Sequence, residues 1–585
     1  MSFQAPVADM LHTLRRAIGL DADIAGGRLG DLTDDVLVAV LEEAGRFAAA
    51  EIAPLNRLGD TKGAVWKDGE VTTPAGWKEA YKAWVEGGWA ALSCPAEFGG
   101  QDLPLTVGMA AQEIWNSAAM SFGINPVLTA GAVEALTAHG SDDLKDRYLG
   151  KLVSGEWTGT MNLTEPQAGS DLALLKSRAE RAGDGTYRVF GTKIFITYGE
   201  HDLAENIVHL VLARLPDAPA GTRGISLFLV PKFLPDGTRN DIVCAGIEHK
   251  MGLHGSPTCT LIYGEKGGAT GWLIGEENKG LNCMFTMMNN ARLAVGIQGV
   301  AVAERAWQQA RIYAGERQQG RLPGMGPTET VAIVAHPDIR RSLAQMEALT
   351  AASRAICYAT ARAIDLSALA PDEESRRAAK ARADLLTPLA KAFSTDMGVE
   401  VASLGVQVHG GMGFIEETGA AQHLRDARIT PIYEGTNGIQ AIDLVTRKLP
   451  MAGGAVAREY IAEIAEIAQS ASGSDDPALK KAGAYLSEAV SALTDATDWI
   501  LKSGNEKPDD VLAGATPYLR LFSLAAGGSY LLRGAIAATA ESDPDAAQRR
   551  RAATFFAANF LPSCEGLART VTEAADTLPE AAAFA

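Results

Sequence analysis

Cysteine is scarce: the 585-residue chain has six, at positions 94, 244, 259, 283, 357 and 564. No CxxC pair occurs and none stands with histidine at zinc spacing, which excludes a disulfide scaffold, an iron–sulfur site and a structural zinc. Positive charge is also short, with 53 Lys and Arg against 71 Asp and Glu and a net charge of −18. That balance opposes adhesion to nucleic acid or to an anionic membrane, and AAQRRRAA is only a short basic run within it. Long apolar runs are missing too. The most hydrophobic late segment, LFSLAAGGSYLLRGAIAATA, is broken by Arg533 and reads as a packed helix rather than a stable membrane insertion. The first twenty residues lack the apolar stretch and cleavage site of a signal peptide, so a cytoplasmic location is expected. Three nucleotide and hydrolase signatures fail as well. GGMGFIEETG does not complete GxGxxG, and neither GxxxxGK[ST] nor GxSxG occurs.

What is present changes texture along the chain. Residues 1–157 read as helices and connectors: VLVAVLEEAGRFAAAEIAPL has helical spacing, and TPAGWKEAYKAWVEGG offers Thr73 before Pro74 as a helix start. Residues 158–285 carry strand-length β-branched runs (YRVFGTKIFIT, NIVHLVLARL, GISLFLVPKF, PTCTLIYGE), which predicts an all-β or barrel-like middle domain. Helical periodicity returns at 283–318, 336–368 and 374–409, within a bundle of 286–449. After the Pro/Gly break at 450–454, an Ala-rich helical domain fills 450–585. The fold class is α+β, with the sheet between helical domains. Stretches at 472–478 and 541–546 read as loops, as do GRLPGMGPTETVA and LSALAPDEESRRAA.

Two segments carry chemistry. NLTEPQAGSD, Asn162 to Asp171, gathers hydroxyl and backbone N–H groups in a turn that can cradle a ring carbonyl or a phosphate, or be an ordinary loop. TPIYEGTNGIQAIDLV places Glu434 in a Gly-flanked turn just before a helix, as either a turn residue or a catalytic base. Gly435 relieves crowding there, and Thr436 or Asn437 caps the helix near Gly438. His249, His254 and His409 lack acidic companions at ligand spacing, so no metal is expected.

LTEPQAGSD, GTKIFIT, NNARLA with its following helix, and QVHGGMGFIEE…RDARITPIYEGTNGIQ stand in one order that resembles the acyl-CoA dehydrogenase family over about residues 35–450. The appended region is similar to that of a long subgroup. The resemblance implies FAD, a fatty acyl-CoA or 3-methylmercaptopropionyl-CoA substrate, β-oxidation chemistry, an electron-transferring flavoprotein as acceptor, and a homo-oligomer, most simply a homodimer. It assigns Glu434 as the Cα base. Ala291 stands at the position where some relatives carry the base, and alanine takes no proton. Ser170, Arg292, Tyr433 and Gly435 are matched to substrate; Met161, Leu163, Thr164, Ser170, Phe195 and Thr197 to the flavin end of FAD; and Arg317, Gln407, Gly410, Gly411 and Thr436 to its pyrophosphate and adenosine end. Phe195 replaces a usual tryptophan and loses the indole donor. QQGR after Arg317 and Gly438 also depart from the family pattern. An oxidase-like flavoprotein and a noncatalytic DNA-protection flavoprotein are the alternatives.

Overall fold

Helix α1, Asp34–Phe47, starts where Thr33 accepts a hydrogen bond from the Val36 N–H at 3.3 Å and where Asp34 and Asp35 meet the positive end of the helix. Its Leu37, Leu41 and Ala44 lie on one face and are fully buried. The computed structural model describes residues 3–541, 543–580 and 583. Next come α2 (Trp77–Glu86), α3 (Leu105–Ala118), α4 (Met120–His139) and α5 (Asp142–Ser154). Helices α3 and α4 are buried nearly all round, which makes them an inner layer for the elements that follow. The helix start expected at Thr73 does not form. Its N–H and Oγ1 both donate to Asp202 Oδ1, at 3.0 and 2.7 Å, and α2 begins after the left-handed Gly76. A distant carboxylate outcompetes the local cap.

The middle of the chain forms β1 (Trp157–Asn162), β2 (Arg178–Arg181), β3 (Tyr187–Thr197), β4 (Asn206–Arg214), β5 (Ile225–Pro231), β6 (Ile242–Ile247), β7 (Thr258–Tyr263) and β8 (Ala269–Ile274). Their order is β8-β5-β4-β2-β3-β7-β6, with β1 parallel to β4. Strand β8 pairs with β5 through Trp272–Ile274 and with β3 through Ala269–Gly271, so part of the sheet closes on itself and the barrel-like expectation holds. Closure explains why β4 is buried on both faces: Leu210 and Leu212 pack toward α4 and α5, while Val211 and Ala213 fill the interior.

Three long helices make the bundle: α6 (Gly280–Glu316), α7 (Pro337–Leu369) and α8 (Glu373–His409). Gly296 and Gly299 let α6 approach α8 backbone to backbone. A Cβ on Gly299 would lie 2.3 Å from the Ser394 carbonyl oxygen, and one on Gly296 would lie 2.6 Å from that of Ala390. The close approach brings Arg292, one turn before Gly296, level with Lys391, the neighbour of Ala390. A buried charge cluster ties α7 to α3 and α6: Arg354 donates to Glu113 and Glu304 at 2.8 Å each, and Tyr358 Oη donates to Glu113 at 2.6 Å. Such a cluster holds only if every charge is paired.

The stretch 364–379, expected as a loop, is instead the end of α7, a corner at 370–372, and the start of α8. Asp372 makes that restart possible by accepting from the Ser375 N–H at 2.8 Å. Shorter helices α9 (Ala420–Ala427) and α10 (Asn437–Asp443) follow, with Glu434 in the connection between them.

Beyond the turn at Met451–Gly454 come α11 (Ala455–Ser472), α12 (Pro477–Ser503), α13 (Ala515–Ala540) and α14 (Ala546–Asn559). Among the described residues α13 is long and apolar enough to cross a membrane, yet 72% of its most apolar window is buried within the protein. It packs against α7, α10, α12 and α14. Two of the three arginines of the basic run are held in ion pairs: Arg549 with Asp9, and Arg550 with Asp476 at 2.6 Å.

Candidate active site

The sequence LTEPQAGSD leaves the end of β1 as a folded turn built around Glu165. Its carboxylate accepts from the Lys176 N–H at 2.7 Å, the Ser177 N–H at 3.0 Å and Lys193 Nζ at 2.9 Å. Lys193 also donates to the Leu163 carbonyl at 2.9 Å, so one buried lysine ties the turn to β3. Burial would raise the Glu165 carboxyl, but Lys193 and the Ser177 hydrogen bond override it and hold it at about 2. It is ionised at every working pH. Removing Lys193 alone leaves that carboxylate without its cation, a loss on the order of 3–5 kcal/mol for a buried pair. Lys193→Met is expected to loosen the turn and to cost at least about tenfold in FAD affinity, at ~1.4 kcal/mol per tenfold, as read by flavin fluorescence on dilution.

Met161 is buried at the end of β1, Leu163 and Thr164 are half-buried, and Ser170 is exposed. Opposite them, β3 breaks its pairing with β7 between Lys193 and Ile196. Phe195 sits in that bulge with φ +60°, a left-handed backbone that a phenylalanine rarely adopts, and its side chain is 57% exposed. The bulge turns a large apolar ring out of the sheet next to the half-buried Thr197. Strain of this kind, spent on presenting an aromatic face, marks a binding surface for a flat ring.

Glu434 also has a positive φ, +55°, and Gly435 follows at +84°. A Cβ at Gly435 would lie 2.8 Å from Gln440 Nε2, so both freedom and space require glycine there. The loop is closed by the Asn437 N–H donating to the Pro431 carbonyl at 3.0 Å. Thr436, of the two candidate caps, takes the role and accepts from the Ile439 N–H at 3.3 Å. Tyr433 Oη donates to Gln298 Oε1 on α6. Burial raises the Glu434 carboxyl above its ordinary range, and Arg292 and Lys391 pull it back. Arg292 is itself buried, with Nη1 4.0 Å from Asp443 Oδ2 and Nε without a partner.

A cavity of about 770 Å³ lies among α2, α3, α4 and α6, lined among others by Trp84, Trp89, Gln112, Trp115 and Ala291. Ala291 precedes Arg292 on α6. Glu134 also lines it; burial pushes its carboxyl up to about 7 despite the Asn290 Nδ2 donor at 2.6 Å.

The structure therefore brings Arg292, Tyr433, Glu434, Gly435 and Thr436 together. Arg317, Gln407, Gly410 and Gly411 lie elsewhere, exposed at the far ends of α6 and α8. Those ends meet where Tyr313 stacks on His409 at 4.4 Å between ring centres. Arg317 is about 37 Å along α6 from Arg292 at ~1.5 Å per residue, so the two stand far apart on one helix. Sequence reasoning missed Lys391, Lys193 and the Glu134–Asn290 pair. A lysine inside the apolar stretch LTPLAKAF was the signal for the first. Among the described residues no His, Cys, Asp and Glu group has the geometry of a metal site.

The comparisons with known proteins follow this architecture. Family models described as acyl-CoA dehydrogenase N-terminal, middle and C-terminal domains match residues 35–156, 160–265 and 278–449, and one described as acetyl-CoA dehydrogenase C-terminal like matches 460–582. The chain is 48% identical to the 3-methylmercaptopropionyl-CoA dehydrogenase of Ruegeria pomeroyi over 99% of both chains. It is 32% identical to the broad-specificity linear acyl-CoA dehydrogenase FadE5 of Mycobacterium tuberculosis over 96% of both. A crystal structure of an acyl-CoA dehydrogenase complexed with FAD from Bacillus anthracis shares the fold with a TM-score of 0.75 at 22% identity, covering 93% of this chain and 89% of that one. With family models matched in this order over residues 35–449 and a full-length relative 48% identical, the chain belongs to the acyl-CoA dehydrogenase family.

Proposed function

We propose that the chain dehydrogenates an acyl-CoA thioester to the trans-2-enoyl-CoA. The observation that carries this reading is Glu434: a carboxylate held in a strained, closed loop, made more basic by burial, beside Arg292. Glu434 takes the proton from Cα. FAD supplies the acceptor for the hydride that leaves Cβ. The thioester must lie between the two, and burial of Glu434 keeps the carboxylate poorly solvated. Proton removal needs Glu434 ionised, so turnover rises with pH through its elevated pKa.

The residues of this chain fit that cofactor. Phe195 offers an exposed ring face, Met161, Leu163, Thr164 and Thr197 surround it, and Ser170 stands at the loop edge for a phosphate or the substrate. Gly410 and Gly411, where a Cβ would meet nothing within 4 Å, leave open approach to the adenosine end beside Arg317, Gln407 and, from its own loop, Thr436. Arg317 and Thr436 are both matched to the pyrophosphate and adenosine end yet lie apart within one chain, which supports a homodimer in which one copy completes the other's cofactor site. Phe414, 85% exposed next to Met412 and Ile415, gives a second copy an apolar patch to cover. An electron-transferring flavoprotein as electron acceptor, a cytoplasmic location and a role in β-oxidation complete the proposal.

The test is product identity. Incubation of FAD-loaded protein with acyl-CoA and a terminal electron acceptor is expected to yield the enoyl-CoA, two hydrogens lighter by mass. Recovery of unchanged thioester from the whole panel would refute the reading. 3-Methylmercaptopropionyl-CoA and a straight chain of the same outline differ by little more than sulfur for methylene. Their kcat/KM values are therefore expected to lie within about 200-fold of each other, since one such group is worth ~1–3 kcal/mol.

A further inference from the structure

Lys391 is a fully buried lysine in the middle of α8, and the reaction proposed above assigns it nothing. Its Nζ donates to Asn437 Oδ1 at 2.9 Å. Asn437 is the residue that closes the Glu434 loop, and its side chain is held from all sides: Nδ2 donates to Asp396 Oδ1 at 2.7 Å, Thr395 Oγ1 at 3.0 Å and the Ala392 carbonyl at 3.1 Å. The left-handed Glu434 is thus clamped to α8 through one asparagine, with Lys391 as the cationic member of the clamp.

We infer that Lys391 is a positioning residue for Glu434, fixing its loop through Asn437 and supplying the charge that governs how readily the carboxylate takes a proton. The inference rests on Glu434 being the base. Other charges face the same spot. From α6 comes Arg292, and from α10 Asp443, which is itself paired with Arg447. Helix α8 adds Asp396, whose own charge is countered by Arg520 of α13, Lys391 and Arg428. Tyr433 is the remaining neighbour, and burial keeps its hydroxyl protonated. Arg292 already has Asp443 close by. The hydrogen bond of Lys391 ends on a neutral amide, and its charge acts on Glu434 and Asp396 together. Burial lowers the ammonium to about 7 against the pull of Glu434 and Asp396, so the protonation of Lys391 and that of Glu434 are coupled.

Two variants of the full-length, FAD-loaded protein separate charge from packing. Lys391→Met removes charge and hydrogen bond; Lys391→Gln removes the charge and keeps a donor toward Asn437. The first readout is an infrared titration of the Glu434 carboxyl, identified by its loss in Glu434→Gln. It needs no substrate and so stands apart from the proposed reaction. Its midpoint is expected to rise by about one pH unit in both variants, as for loss of a nearby opposite charge. The second is the pH profile of flavin reduction by acyl-CoA, whose acid limb should move by the same amount in the same direction. An unmoved carboxyl midpoint in the folded Gln variant would overturn the inference, whatever happened to the rate. A wild-type flavin that no acyl-CoA reduces would instead overturn the proposed reaction and leave the infrared result to decide the role of Lys391.

Discussion

Glu434→Gln is expected to lower the rate of flavin reduction by acyl-CoA by about 10³-fold or more, near the upper part of the ~10²–10⁴-fold range for loss of a positioned base. Glutamine has nearly the same outline, so the closed loop, its Asn437 clamp and the Thr436 cap all remain. Only the proton acceptor is lost. Of the groups beside it, Ala291 has no acceptor, Asp443 is engaged by Arg292 and Arg447, and Tyr433 keeps its proton. FAD content and thioester binding should stay near wild type, because an amide still fills the site. Rapid-mixing absorbance at the oxidised-flavin band, under anaerobic conditions, separates the two effects. A variant that reduced flavin within tenfold of wild type would transfer the role to another group, and Glu134 at the cavity wall would be the first to try.

The second large effect concerns the frame that carries the site. Arg354 lies between Glu113 and Glu304 with all three side chains almost completely buried. Arg354→Met strands two carboxylates in the interior, and loss of one partner of a buried charge pair costs about 3–5 kcal/mol. The first unfolding transition in denaturant is expected to move down accordingly. A chain of several domains need not unfold in a single step, so this transition alone is read. Adding Glu113→Gln and Glu304→Gln to the variant should recover much of the loss, because the stranded charges are then gone. Equal stability of the single and triple variants would mean that the cluster does not set the stability of this domain.

Much of this architecture was legible in the residues, and the exceptions have physical causes. The long helices α6, α7 and α8 fall within a few residues of where their periodicity puts them, since an apolar face over more than thirty residues is hard to mistake. Strands β3, β4, β5 and β7 were legible from their β-branched runs. Strand β1, reading WTGTMN, was not: it is short and half polar, and it becomes a strand because it lies parallel to β4 and is buried there. Thr73 looked like a cap and is a ligand for Asp202, a partner 129 residues away. The 364–379 stretch looked like a loop because of its Pro and charged residues, yet Asp372 caps a new helix there.

At the site, the residue types of the Glu434 turn were readable, but its left-handed backbone was not. Nothing in the letters Tyr-Glu-Gly says which of two adjacent residues turns positive, and here both do. Phe195 is matched to the flavin by the resemblance alone; the letters of β3 do not show the bulge that turns it outward. Lys391 escaped notice because a lone lysine in a helix is usually solvated. Only the close approach of α6 and α8 at Gly296 and Gly299 buries it against the Glu434 loop.

The most direct measurement is an anaerobic titration of FAD-loaded protein with acyl-CoA thioesters, 3-methylmercaptopropionyl-CoA among them, following the absorbance of oxidised flavin. The expected result is bleaching by at least one thioester in the wild type, with the same thioester bound but the flavin left oxidised in Glu434→Gln. A fully loaded flavin that stayed oxidised with every thioester, or that bleached equally in the two proteins, would contradict the assignment of Glu434 as the base of an acyl-CoA dehydrogenase.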